Sequence, residues 1–305
     1  MTGNPERAET VRRDYPDARV EQGVDAIWER AGEHDFVVIA APNDSHAALA
    51  RAAIDAGLAV VVDKPLVPSS AIAAELVDHA EAAGVLLTVF HNRRWDSDVL
   101  TLRRLLERGE LGEVHRFESR FERWRPELSG DAWRETLPSA EGGGLLLDLG
   151  THLVDQALWL FGPAEGVYGE VESRRGGPAD DDAFIAIRHR DGVTSHLWAS
   201  SVAAAPGPRL RVQGSRGAFV VEGLDGQEDA LREGRRPSDG AWGEAREAEW
   251  GRLVRGDEST PVPSERGAWP EFYRRFEAAL RGEAELPVDP HDAIEVAKVL
   301  ERAGR

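Results

Sequence analysis

The stretch DFVVIAAPNDSHAALARAAIDAGLAVVVDKP, residues 35–65, contains two short runs that are apolar on both faces, with a helix-like segment between them. A further helix, a glycine and a third apolar run follow directly. Short apolar strands that alternate with helices predict a parallel sheet covered on both sides. The predicted elements are strands at 35–42, 59–63 and 85–91 and helices at 45–56 and 69–83.

Polar residues follow each of these strands. Ligands of such sheets bind at the carboxyl ends of the strands, so we expect residues 42–43, 64–65 and 91–92 to share one rim.

The pattern changes after residue 109. Apolar and polar residues then alternate as in half-exposed strands, which predicts an antiparallel or mixed sheet. We expect 225–249, which is poor in aliphatic residues, to be a surface excursion. The predicted strands of this sheet are 114–124, 167–173, 183–189, 194–200, 209–213 and 218–222. Two helices follow, at 270–280 and 290–303. Before the first sheet we predict a helix at 4–15, a strand at 18–21 and a helix at 24–31.

Composition excludes several classes of function. The 305 residues carry a net charge of -18, which opposes binding to nucleic acid or to an anionic membrane. The basic and aromatic residues of 115–124 are therefore better explained as one packed and one solvated strand face. There is no cysteine, so disulfides and thiolate chemistry are excluded. No apolar run approaches the ~20 residues needed to span a bilayer, and we expect a cytoplasmic protein.

The segment EGGGLLLDLGTHLVDQALWLFG, residues 141–162, predicts a glycine turn followed by an apolar helix. Asp148, His152 and Asp155 are spaced i, i+4, i+7, so they are expected on one face of that helix. A buried and satisfied polar network and a catalytic face explain this stripe equally well. Three metal ligands are a weaker explanation, because two are carboxylates and no second histidine has matching spacing; we expect no metal.

The residue types suit hydride transfer from a secondary alcohol. His152 could take the hydroxyl proton, since the pKa of histidine suits a base at neutral pH. Lys64 could polarise the same oxygen, and Asp148 could orient the imidazole or the substrate. The competing interpretation of Lys64 is a solvated loop lysine.

Four motifs in this order resemble the Gfo/Idh/MocA family of oxidoreductases, and most closely its branch of NADP-dependent scyllo-inositol dehydrogenases. They are VVIAAPNDSH, VVVDKP, FHNRRWDSD and GGGLLLDLGTHLVD, at 37–46, 60–65, 90–98 and 142–155. The resemblance implies an α/β fold: an incomplete Rossmann-like parallel sheet domain at 1–94, then an α+β domain with an open mixed or antiparallel sheet at 95–305. The C-terminal helix could pack back on the first domain.

The resemblance also implies the site. Lys64, Asp148 and His152 would be catalytic, and NADP or NAD would lie against Pro42, Asn43, His46, Lys64, Pro65 and Asn92. The implied substrate is a small sugar or polyol such as an inositol, whose hydroxyls we expect Arg94, Trp124, Trp133 and Asp155 to contact. A homodimer or homotetramer is expected to form through the C-terminal sheet.

One departure concerns the amino end. Family members open with a strand, a GxGxxG-like turn and a helix, and no such fingerprint occurs in these 305 residues. Its absence would lower the affinity for the cofactor phosphates and leave the strand at 35–42 with one unpaired apolar edge. Either the sequence is a truncated record of an ordinary enzyme, or the chain is a noncatalytic homologue with a binding or oligomerisation role. We favour the first, because Lys64, Asp148 and His152 are all present.

Overall fold

The computed structural model describes residue 2, residues 4–130 and residues 132–304. Its first sheet is parallel, with strand order β1-β2-β3. Among the described residues β1 pairs only with β2, and Val38 on β1 is 43% exposed. The unpaired apolar edge expected from the sequence is therefore confirmed for this part of the chain. The strands are β1 (Phe36–Ile39), β2 (Ala59–Val62) and β3 (Leu87–Val89).

Helices cover this sheet. The longer of the two that connect its strands begins where the Ser69 hydroxyl accepts a hydrogen bond from the Ile72 amide, and ends at Gly84, whose φ of +67° few other residues adopt. None of the described helices is long and apolar enough to cross a membrane. The helices are α1 (Pro5–Asp14), α2 (Asp25–Trp28), α3 (His46–Asp55), α4 (Ser70–Ala83), α5 (Ser97–Glu107), α6 (Trp133–Thr136), α7 (Thr151–Phe161), α8 (Gln227–Arg232), α9 (Pro270–Leu280) and α10 (Pro290–Ala303).

The second sheet has eight strands in the order β11-β10-β9-β8-β4-β7-β6-β5. Only the β4–β7 pair is parallel, so the sheet is mixed, as the sequence predicted. One face buries its alternate side chains against α7. The strands are β4 (Val114–Glu122), β5 (Ala164–Glu172), β6 (Asp182–His189), β7 (Thr194–Ser200), β8 (Leu210–Gly214), β9 (Gly217–Val221), β10 (Arg252–Arg255) and β11 (Glu258–Pro261).

Three sequence predictions were wrong. Residues 18–21 form no strand, and the short polar edge strands β10 and β11 were not foreseen. Residues 225–249 are not a simple surface excursion, because Gln227 is fully buried and Trp242 is 5% exposed. The Gln227 side chain satisfies backbone groups of Trp95 and Trp269 and the Trp242 indole, so a segment poor in aliphatic residues is still buried.

The last helix, α10, belongs to both hydrophobic cores. Ala293 and Ile294 pack with the core of the parallel sheet. Val296 and Leu300 pack with the core beneath the mixed sheet. The two sheets are thereby held on a common helix, with a cleft between them.

Candidate active site

A cavity of about 930 Å³ lies where the carboxyl ends of the parallel strands face α7 and the mixed sheet. All three strand ends contribute to its wall, as expected for this sheet type. From the parallel sheet it is lined by Val38, Ala40, Asp63, Lys64, Phe90 and Asn92, and from the segment before and within α7 by Asp148, Leu149 and His152.

A glycine turn sets the entry to α7. Gly142 and Gly144 have φ values of +92° and +95°, which side chains disfavour. A Cβ at Gly144 would also lie 1.9 Å from Asp180 Oδ1. The Asp180 carboxylate accepts from the Leu146 amide at 2.7 Å and so fixes the start of a π-helical turn, Leu146–Gly150, that runs into α7. This turn carries Asp148, consistent with the frequent placement of π turns at functional sites.

Lys64 and Asp148 form a close pair. Lys64 Nζ donates to Asp148 Oδ1 and to the Asp148 carbonyl, both at 2.6 Å, and its side chain is 12% exposed. Arg134 Nε donates to the same carboxylate at 3.1 Å. Burial acts to raise the pKa of Asp148, but the charges of Lys64 and Arg134 outweigh it and hold that pKa below its usual value. Lys64 is therefore not a solvated loop lysine.

His152 lies beside this pair and is 5% exposed. Its Nδ1 is buried and has no hydrogen-bond partner among the described residues, which leaves Nε2 to reach the cavity. Burial, together with the nearby charges of Lys64 and Arg93, holds the pKa of His152 well below its usual value. The imidazole is thus neutral at neutral pH and able to accept a proton.

The three polar residues of the segment do not act as one face. Asp148 binds Lys64 and Arg134, and no hydrogen bond joins it to His152 in the described structure, so it does not orient the imidazole directly. Asp155 lies seven residues, or ~10 Å of helix, beyond Asp148 and is outside the cavity. The described residues contain no group of three or more metal-binding side chains placed to hold an ion.

Arg94 and Asp155, expected at the substrate, face each other elsewhere. Arg94 Nη2 donates to Asp155 Oδ1 at 2.6 Å and to Asp292 on α10 at 2.8 Å. Both lie beside a separate cavity of about 370 Å³ at the other end of α7. In this position they connect chain segments, and neither lines the cavity that holds Lys64 and His152.

Trp124 and Trp133 do not line the cavity either, whereas their neighbours Arg123 and Arg134 do. Successive residues of an extended segment point to opposite sides, which explains why Trp124 is 58% exposed while Arg123 faces inward. Trp133 supports the site indirectly, since the Arg134 guanidinium lies over its ring at 4.6 Å.

The residues expected at the cofactor fall into two groups. Lys64 and Asn92 line the cavity, but Pro42, Asn43, His46 and Pro65 do not. The two ring nitrogens of the buried His46 lie 2.9 Å from the carbonyl oxygens of Ala41 and Pro65, and Asn43 donates to the Gly142 carbonyl at 2.8 Å. These side chains tie the strand ends to each other and to the glycine turn.

The cavity wall nevertheless fits a nicotinamide ring. Val38, Ala40, Phe90 and Tyr273 give an apolar surface for its face, immediately next to the polar cluster around Lys64.

Several charged lining residues were not predicted from the sequence as site residues, among them Arg93, Arg123, Arg134 and Glu228. The first three are direct neighbours of residues that were predicted. The sequence therefore located the correct segments but did not show which side chain of each segment faces the cavity. Glu228 belongs to the segment expected at the surface. It accepts from Arg93 at 2.6 Å, a partnership that only the fold reveals.

Comparisons with known proteins agree with this geometry. A family model described as an oxidoreductase family with an NAD-binding Rossmann fold matches residues 1–91, and one for the GFO/IDH/MocA C-terminal domain matches 99–220. The scyllo-inositol 2-dehydrogenase (NADP(+)) IolW of Bacillus subtilis is 35% identical over 97% of this chain and 83% of its own length. The oxidoreductase YdgJ of Escherichia coli is 42% identical over 88% of this chain and 77% of its own.

A solved structure gives the same result. The oxidoreductase yvaA of Bacillus subtilis superposes with a TM-score of 0.90 at 33% identity, covering 100% of this chain and 87% of that one. With both domain matches and relatives of this identity and coverage, the chain belongs to the GFO/IDH/MocA family of oxidoreductases, whose amino-terminal domain is an NAD-binding Rossmann fold.

Proposed function

We propose that this chain transfers a hydride between NADP or NAD and a secondary alcohol or ketone of a sugar or polyol, such as an inositol. The observation that carries the proposal is the Lys64–Asp148 pair beside the inward-facing Nε2 of His152, on the rim where a parallel sheet binds ligands. The substrate class is suggested by the relatives, which include a scyllo-inositol dehydrogenase and a D-apiose dehydrogenase.

Each side chain has a separate role in alcohol oxidation. His152 Nε2 accepts the hydroxyl proton, for which its lowered pKa keeps it in the base form. The Lys64 ammonium donates to the same oxygen and stabilises the negative charge that develops there. Asp148, ionised and fixed by Arg134, holds that ammonium in place. Val38 and the neighbouring apolar wall would hold a nicotinamide ring, which would supply the hydride acceptor when bound.

The test measures nicotinamide absorbance with saturating NADP+ or NAD+ and a panel of inositols and sugars. We expect Lys64→Met and His152→Asn each to lower kcat/KM by roughly 10²–10⁴-fold without unfolding the chain. Lys298→Met is the matched control, because Lys298 pairs with Glu295 on the exposed side of α10 and should not affect turnover.

Near-full activity of His152→Asn would contradict the assignment of the base. If the unmodified chain turned over no combination of cofactor and substrate, the proposal as a whole would be contradicted and a noncatalytic binding role favoured.

We also propose that two copies associate through the solvent-facing side of the mixed sheet. Phe184, His196 and Trp198 form an aromatic cluster there, with Phe184 and Trp198 ring centroids 5.1 Å apart and the Arg120 guanidinium 3.9 Å from the Trp198 ring centroid. Aromatic residues and arginine are the types enriched at interfaces between proteins.

A further inference from the structure

The cavity carries slightly more basic than acidic side chains, although the chain as a whole is strongly acidic. The net charge of the chain is -18, yet seven basic and six acidic side chains line the cavity. Local charge of this kind, not the total, determines which ligands a concave site attracts.

Most of these basic groups are already neutralised. Arg134 pairs with Asp148, Arg175 with Asp181 at 2.9 Å, and Arg93 with Glu228 at 2.6 Å, while Arg232 also binds Glu228. Arg123 and Arg125 make no side-chain hydrogen bond or ion pair within the described part of the chain. Within the described part of the chain, the basic lining residues without an ion-pair partner are therefore Arg123 and Arg125, while the carboxylates of Asp63, Glu127 and Asp180 also line the cavity without an ion pair.

The backbone fixes both arginines firmly. The Arg123 amide donates to the Ser200 carbonyl at 2.8 Å and the Arg125 amide to the Ser201 carbonyl at 2.7 Å, which continues the pairing of β4 with β7. Residues two apart on an extended segment project to the same side, and both line the cavity. The backbone positions of both residues are thus fixed without any contribution from their guanidinium groups, and both side chains leave the segment on the same side.

Their mutual repulsion is visible at Arg123. Burial, followed by the charge of Arg125, lowers the pKa of the half-buried Arg123, with a further contribution from Arg93. Glu228 and Asp148 oppose this without compensating for it. An anion between the two arginines would relieve the repulsion.

We propose that Arg123 and Arg125 bind an oxyanion of the substrate, so that the preferred substrate is an anionic sugar or polyol. This inference rests on the proposed function and specifies its substrate class. The guanidinium group presents two parallel N–H donors that match the oxygens of a carboxylate or a phosphate, and two such groups select the anion over a hydroxyl. The neighbouring polar groups around Lys64 and His152 remain available for the reacting alcohol.

The experiment compares D-glucose, D-glucuronate and D-glucose 6-phosphate as probes. Turnover with each is measured with the same nicotinamide, and binding of each to the cofactor-saturated protein is measured by calorimetry. We expect at least one anionic probe to exceed D-glucose in kcat/KM and in affinity by roughly tenfold to a hundredfold, the worth of a charge-assisted hydrogen-bond pair. The preference should weaken with added salt.

Variants assign the effect to residues. Arg123→Met should abolish most of the preference, because it should lower kcat/KM for the anionic probes far more than for D-glucose, and Arg125→Met should weaken the preference. Arg123→Lys should retain part of it, because the charge remains without the planar fork. Arg281→Met is the control, since Arg281 is 62% exposed at the end of α9.

The outcomes separate the two proposals. The proposal of an anionic substrate is wrong if the protein oxidises D-glucose with the same kcat/KM as both anions, or if the preference survives in Arg123→Met and Arg125→Met. The dehydrogenase assignment would stand in either case. If no probe is turned over but an anion binds in an Arg123-dependent way, the anion site stands and hydride transfer to these probes is wrong. The two anionic probes distinguish a sugar acid from a sugar phosphate.

Discussion

Replacement of Asp155 by alanine would leave the buried Arg94 guanidinium, which is 4% exposed, without its principal counter-charge. In the folded chain the carboxylate accepts from Arg94 Nη2 at 2.6 Å and from Nε at 3.0 Å. Asp292 also accepts from Nη2 at 2.8 Å, but its side chain is 44% exposed. In the variant, the Asp292 carboxylate would therefore still offset part of the Arg94 charge, but less strongly, because it is better solvated.

The expected loss of stability follows from this geometry. Removing one partner of a buried ion pair costs about 3–5 kcal/mol, and the remaining contact with Asp292 favours the lower end, about 3 kcal/mol. An unfolding entropy of about 2.1 cal/mol/K per residue amounts to roughly 0.6 kcal/mol/K for the whole chain. If the chain unfolds as one unit, Tm should fall by about 5 °C.

Calorimetric melting at neutral pH measures this shift. Glu277→Ala is the control, because Glu277 and Arg281 form an exposed i,i+4 pair that should change Tm by less than about 1 °C. The double variant Arg94→Met, Asp155→Leu should regain much of the loss, since it removes both charges and keeps the volume filled. Coincident melting of Asp155→Ala and Glu277→Ala would refute the role of this buried pair.

Three further predictions follow. Gly144→Ala should lower the free energy of unfolding by about 2–4 kcal/mol in chemical denaturation, because its φ is +95° and the new Cβ would meet Asp180 Oδ1. The control Gly57→Ala, with φ +74° and open space around it, should lower it by about 1 kcal/mol. Equal losses in the two variants would contradict the fixed turn. The pKa of His152 is lower in the folded chain than its unfolded value of about 6.5, so at pH values below about 6.5 the unfolded chain binds a proton at His152 more readily than the folded chain does. The free energy of unfolding should therefore fall as pH drops below about 6.5, by up to about 1.4 kcal/mol per pH unit. His152→Asn should remove that part of the slope, and an unchanged pH profile of Tm would show that His152 titrates normally. Trp198→Glu should shift the protein to a smaller species in sedimentation, with Arg281→Glu, an exposed change at the end of α9, as the control; unchanged sedimentation of Trp198→Glu would contradict the proposed interface.

The sequence predicted the fold well because burial of both strand faces leaves a distinct pattern. The apolar runs became β1, β2 and β3, and alternation located the central strands of the mixed sheet. The four-residue strands β10 and β11 lack that pattern, because β10 places its two apolar residues next to each other and the edge strand β11 is exposed along its whole length. The burial of residues around Gln227 depends on side-chain hydrogen bonds to distant backbone, which no local pattern encodes.

Prediction of the site was limited by register. Lys64 was predicted because it directly follows a strand, and His152 because it shares a helical spacing with Asp148 and Asp155. Arg123, by contrast, differs from Trp124 only in which side of an extended segment it occupies, and that depends on pairing with residues near 200. The π-helical turn likewise has no signature in residues 146–150, yet it determines how Asp148 meets Lys64.

The position of α10 has a consequence for synthesis on the ribosome. The parallel sheet is encoded by the first third of the chain, but its core includes Ala293 and Ile294, and the hydroxyl of Thr88 on β3 donates to the Val288 carbonyl. Loops of this length are slow to close, and nascent chains emerge from the amino end. The first sheet therefore stays incompletely packed until α10 has been released, and its apolar surface is exposed for that interval.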